Sequence, residues 1–131
     1  MKAVARRDGS GFRHEVSVRM HGLTADEPKD HGGEDTGPSP QELLAASLAS
    51  CTAITIEMYA RRKGWEIGEV SVDVDYEPAQ RGSPTRFNMV MRLPKELPEE
   101  QLERLTQIAA KCPVHRTLEG EVMFEERVEL V

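Results

Sequence analysis

The chain has 131 residues, 31% of them charged, and a formal net charge of −6. An acidic balance excludes a nucleic-acid surface, which needs clustered Lys and Arg. The basic groups here, Arg6-Arg7 and Arg61-Arg62-Lys63, are short enough to be a solvated face. The length suits one domain, residues 1–131, with a core of its own. The N-terminus MKAVARRDG lacks the apolar stretch of a signal peptide. The longest uncharged run, Leu43 to Ile56, is shorter than the ~20 residues of a membrane span. The expected location is cytoplasmic, with neither membrane nor nucleic acid as a partner.

In chain order, Lys2–Arg6 is expected to be a first strand, with a hairpin turn at Asp8-Gly9. In FRHEVSVRM, residues Phe12, His14, Val16, Val18 and Met20 alternate with polar ones, the period of a half-buried strand. The following LTADEPKDHGGEDTGPSP has no period and is rich in Gly, Pro and Asp, which predicts a long loop. Ser39, Pro40 and Glu42 then supply an N-cap, a first-turn proline and a Ser-x-x-Glu capping box. Arg61, Arg62, Lys63 and Gly64 close the same helix, where the negative dipole end favours cations. Its middle turns are small or apolar on every side, so the helix is expected to be buried all round. A chain this short has little material to surround it, which points to a homodimer with this helix near its centre.

EVSVDVDYEP and RFNMVMRL predict two amphipathic strands, with Val70, Val72, Val74 and Tyr76 on the inner face of one and Phe87, Met89, Met91 and Leu93 on that of the other. A second helix starts at Pro98, with the stripe Leu102, Leu105, Ile108 or Ala109, and Cys112. Pro113 interrupts it, VHRTLE resumes as a short helical piece, and EVMFEERVEL is expected to form a last strand. The order predicts an α+β fold, antiparallel sheets packed on two central helices.

The chain's two cysteines, Cys51 and Cys112, sit on the apolar faces of these two helices. If the faces pack together, the sulfurs meet across 61 positions of sequence. Two readings stay open on spacing alone: inert small hydrophobes in a core, or a facing pair of redox thiols. Cys112-Pro113 adds a backbone irregularity immediately after a core thiol.

GPSPQELLAASLASC, residues 37–51, and KCPVHRTL, residues 111–118, together resemble the two cysteine motifs of the OsmC/Ohr family, the osmotically inducible and organic-hydroperoxide-resistance proteins. The similarity covers element order and cysteine separation over nearly the whole chain, and is nearest to the YhfA-type branch of OsmC-like proteins. It implies an OsmC-like intertwined homodimer that reduces organic hydroperoxides, with Cys51 peroxidatic, Cys112 resolving, a cellular dithiol as reductant, and no metal or organic cofactor. It also implies an activating carboxylate just after the motif proline, and there the chain has Gln41, with Glu42 one position later. The family's arginine has its nearest counterpart in Arg7, within Arg7-Asp8-Gly9; the loop before the helix offers only Lys29 and His31. Cys112-x-x-His115 is a single ligand-like pair where zinc needs about four ligands, so no metal site is expected. The alternative function is a non-catalytic dimer that binds a small hydrophobic or sulfur-containing ligand.

Overall fold

A computed structural model describes residues 1–94 and 96–131. The chain divides into two compact units, Met1–Ala46 with Tyr76–Thr85, and Ser47–Asp75 with Arg86–Val131.

The first unit is built on an antiparallel sheet ordered β1 (Val4–Arg7), β2 (His14–Val18), β3 (His21–Ala25). Arg7 pairs with His14, and the turn between them is closed by the Asp8 N–H on the Arg13 carbonyl at 2.9 Å. Gly9 supplies the positive φ of 91° that this turn requires. On β2 the alternation holds: His14, Val16 and Val18 are half-buried, Glu15 and Ser17 exposed. Phe12 and Met20 lie outside the strand and are exposed. β3 occupies residues expected to begin the long loop. His-Gly-Leu-Thr-Ala has no alternation of its own, and its extended backbone is fixed by pairing with β2.

The loop that follows is tied to a buried carboxylate. Asp26 accepts hydrogen bonds from the Glu27 N–H at 2.8 Å, the Thr36 N–H at 3.1 Å and the Thr36 hydroxyl at 2.5 Å. The Thr36 hydroxyl foremost, then the Glu27 N–H, hold the Asp26 carboxyl below its ordinary range. Gly33 must be glycine, because a Cβ there would lie 1.9 Å from the Glu27 carbonyl oxygen.

Helix α1 (Pro40–Lys63) starts as its capping box predicts. The Ser39 N–H donates to Glu42 Oε1 at 2.9 Å, and the Glu42 N–H donates to Ser39 Oγ at 3.2 Å. Gly64 ends the helix at φ 70°, with the Trp65 N–H on the Ala60 carbonyl at 2.9 Å. Burial is one-sided within the chain. Leu48, Thr52, Ile56, Tyr59 and Ala60 are covered, whereas Ile54 is 55% and Met58 64% exposed. By length and composition the whole helix is apolar enough to cross a membrane, unlike the run Leu43–Ile56 taken alone. Its buried face is nevertheless part of a protein core.

That core belongs to the second unit, where Ile56, Tyr59 and Ala60 of α1 meet Ile67 and Leu105, Ile108 and Ala109 of α2 (Glu99–Ala109). Val70, Met91 and Leu93 pack against it from the segments of β4 (Ser71–Glu77) and β5 (Arg86–Arg92), two paired strands with strict alternation of half-buried and exposed residues. α3 (Pro113–Glu119) follows α2 after a break at Cys112. The expected last strand does not form. Residues 121–131 have no regular secondary structure and are exposed, Phe124 at 79% and Val128 at 88%. A strand exists only where its N–H and C=O groups find a neighbour, and alternation alone does not supply one.

Replacing Ser39 with Ala removes one half of the capping box. Urea denaturation is expected to show a loss of about 1 kcal/mol, with the denaturant slope unchanged.

Candidate active site

The two cysteines lie in the same unit and interact. Cys51, on the fourth turn of α1, is half-buried; Cys112, between α2 and α3, is fully buried at 0% exposure. Their side chains are close enough for Cys112 to act on the Cys51 thiol across the 61 positions that separate them. The stripe Leu105, Ile108, Ala109 draws α2 onto α1 and carries Cys112 to the sulfur of Cys51.

Pro113 determines what surrounds them. Proline forces the residue before it out of helical angles, and Cys112 is extended at φ −59° and ψ 140°, serving as the N-cap of α3. The first N–H groups of a helix have no intrahelical partner. Here the His115 N–H donates to Cys112 Sγ at 3.2 Å, and the Val114 N–H is bonded to Cys51. Two hydroxyls complete the set: Thr52 donates to Cys112 Sγ at 3.7 Å, and Thr55 bonds to Cys51. Each sulfur therefore has one backbone donor and one threonine.

These donors work against burial. Desolvation pushes the Cys51 thiol above its ordinary value of 9.0; the Val114 N–H pulls it down, the hydrogen bond and charge of Cys112 push it up again, and Thr55 pulls it down. Burial wins. The Cys51 thiol is therefore held protonated at neutral pH, with donors already aimed at the charge that forms when its proton leaves.

Three further site residues are expected, Glu42, Gln41 and Arg7. Glu42 is engaged by Ser39, whose N–H keeps its carboxyl below the ordinary range. Gln41 is exposed on the first turn of α1. The Arg7 guanidinium is bonded to the carbonyls of Gly11 and Ser10 in its own hairpin turn. All three belong to the first unit and the thiols to the second. No cation is among the groups that shift Cys51. His115 pairs with Glu119 at 2.8 Å, and among the described residues no three His, Cys, Asp or Glu side chains form a metal-holding group. Thr52 and Thr55 carried no signal beyond being hydroxyls on the cysteine side of an apolar helix.

Fold and site together define an α+β protein with a facing pair of free thiols, one accessible and one sealed. The chain belongs to the OsmC family: the model for OsmC-like proteins matches residues 32–127. A protein of Haloferax volcanii of uncharacterised function is 25% identical over 97 residues, 72% of this chain and 74% of that one. Among solved structures, an osmotic stress induced and detoxification response protein of Psychrobacter arcticus has a TM-score of 0.77 at 24% identity, covering 89% of this chain and 87% of that chain. The organic hydroperoxide resistance protein OhrB of Bacillus subtilis has a TM-score of 0.61 at 23% identity, covering 91% of this chain and 90% of its own. These likenesses bear out the α+β, OsmC-like fold.

With burial raising the Cys51 thiol, its alkylation by iodoacetamide should accelerate as pH rises and keep rising through pH 9.0, the ordinary thiol value. A rate that levels off below pH 8 would contradict this. Thr55→Val removes a donor to the sulfur and should slow alkylation at pH 8 by roughly two- to tenfold, the worth of one hydrogen bond.

Proposed function

We propose that the protein reduces organic hydroperoxides through Cys51 and Cys112. The observation that carries this is the asymmetry of the pair: two neighbouring free thiols, of which Cys51 is accessible and Cys112 is sealed. Family membership and the detoxification and hydroperoxide-resistance names of the structural relatives support it.

The Cys51 thiolate attacks the terminal oxygen of the peroxide. An S–O bond forms, the O–O bond breaks, and the alkoxide leaves and takes a proton to become an alcohol. Cys51 is now a sulfenic acid. The Cys112 thiolate attacks the Cys51 sulfur; the S–S bond forms, the S–O bond breaks, and water leaves. A dithiol reductant of the cytoplasm returns two electrons and restores both thiols. The Val114 N–H and the Thr55 hydroxyl stabilise the charge on Cys51, in place of an Arg and carboxylate pair. Arg7, Gln41 and Glu42 keep structural or surface roles.

The working form is a homodimer. The exposed side of α1 with Ile54 and Met58, and the unpaired apolar residues Val122, Phe124, Val128 and Leu130, are surface that a second copy would cover. Light scattering should give about twice the chain mass of 14.7 kDa, and deleting residues 121–131 should shift the mass toward a single chain.

Reduced protein mixed with cumene hydroperoxide should lose both free thiols. Cys51→Ser should abolish the loss, and Cys112→Ser should stop the reaction at a sulfenic acid trapped by dimedone. Unchanged thiols under excess peroxide would sink the enzyme reading and leave the non-catalytic dimer that binds a hydrophobic or sulfur-containing ligand.

A further inference from the structure

Cys51 and Cys112 are neighbouring free thiols, and what gathers around them is as informative as what does not. The Val114 N–H and the Thr55 hydroxyl bond to Cys51, while the His115 N–H at 3.2 Å and the Thr52 hydroxyl at 3.7 Å donate to Cys112 Sγ. Among the described residues no third His, Cys, Asp or Glu side chain joins the pair to make a metal-holding group. The His115 ring pairs instead with Glu119 at 2.8 Å. The pair is therefore a two-sulfur ligand set with four hydrogen-bond donors behind it.

Such a set discriminates among metal ions. Zinc takes about four ligands, and calcium and magnesium call for oxygen ligands. Thiolates select soft ions, copper(I) foremost among the physiological ones, and copper(I), a closed-shell d10 ion, is stable with two thiolates in a line. Charge points the same way. The Cys112 charge raises the Cys51 thiol, so two bare thiolates repel each other here. One monovalent cation between them takes up one of the two negative charges and leaves the other spread over both sulfurs. That remaining charge meets donors already in place, the part that hydrogen-bonding groups outside the ligands play in metal sites.

We propose that Cys51 and Cys112 bind one copper(I) ion per chain as a two-coordinate bis-thiolate, with Val114, His115, Thr52 and Thr55 as its outer hydrogen bonds. In forming the site both S–H bonds break, two S–Cu bonds form and two protons leave; no oxidation state changes. Entry is through Cys51, the accessible sulfur, and Cys112 closes the site from the buried side. The same sulfur electron pairs cannot serve a metal and a peroxide, so the loaded protein is inert toward hydroperoxides. Copper binding needs no peroxide and no turnover, and it stands or falls separately from the peroxidase reading.

Reduced full-length protein is titrated with copper(I) under argon, with bicinchoninate as the coloured competing chelator. One ion per chain should bind. Cys51→Ser and Cys112→Ser should each weaken binding by at least about a hundredfold, and Thr52→Val, which removes only an outer donor, by about tenfold. Zinc(II), tested with its own chelator dye, should bind far more weakly than copper(I). Copper-loaded wild-type protein should lose iodoacetamide alkylation of Cys51, a readout that depends on no variant folding. One ion per two chains, full affinity in any of the three variants, zinc bound as tightly as copper(I), or undiminished alkylation of the loaded protein would each overturn the proposal.

Discussion

The chemistry of this protein depends on one bend in the backbone. Because Pro113 forbids helical angles at Cys112, the chain turns out of α2 and restarts as α3 with its unpaired N–H groups facing two sulfurs. A helix running straight through Cys112 would spend those N–H groups on its own carbonyls. The cysteines would then be two apolar side chains in contact, with nothing aimed at a developing charge. The break also places Cys112 where α1 can cover it, with Thr52, itself fully buried, bonded to its sulfur.

Electrostatic preparation and desolvation oppose each other at Cys51, and desolvation is the larger. Burial alone favours the neutral thiol, and the N–H and hydroxyl donors offset part of that cost without any formal charge. An arginine would offset more, but it would itself need a carboxylate to tolerate the apolar surroundings. In this chain Gln41 takes the position of the family carboxylate, and Arg7 is satisfied by its own hairpin carbonyls. Within the chain, the groups that lower the Cys51 thiol are the Val114 N–H and the Thr55 hydroxyl.

Much of this was legible in the residues, for identifiable reasons. Ser39 and Glu42 are local signals, three residues apart, and a capping box depends on little else. Val72 and Val74 on β4 and Met89 and Met91 on β5 declared their faces through period two. The cysteine pairing followed from two helical stripes that had to bury each other. β3 was not legible, because its extended form comes from β2 beside it. The last strand failed for the converse reason: Val122, Phe124, Val128 and Leu130 have the pattern, but no strand among the described residues receives them. Thr52 and Thr55 could not be distinguished from ordinary helix filler until the sulfurs were placed.

If the two thiols cycle as proposed, the sealing of Cys112 sets the order in which they are recycled. Disulfide exchange proceeds by in-line attack on one sulfur while the other leaves. In a bridge between these cysteines, an incoming reductant would meet only the sulfur of Cys51, since that of Cys112 has no exposed surface. The mixed disulfide would therefore always form on α1. Cys112 would depart as the leaving group into the N–H of His115 and the hydroxyl of Thr52, which wait at the place where its negative charge appears. Burial of a single atom thus gives a symmetric bond a direction.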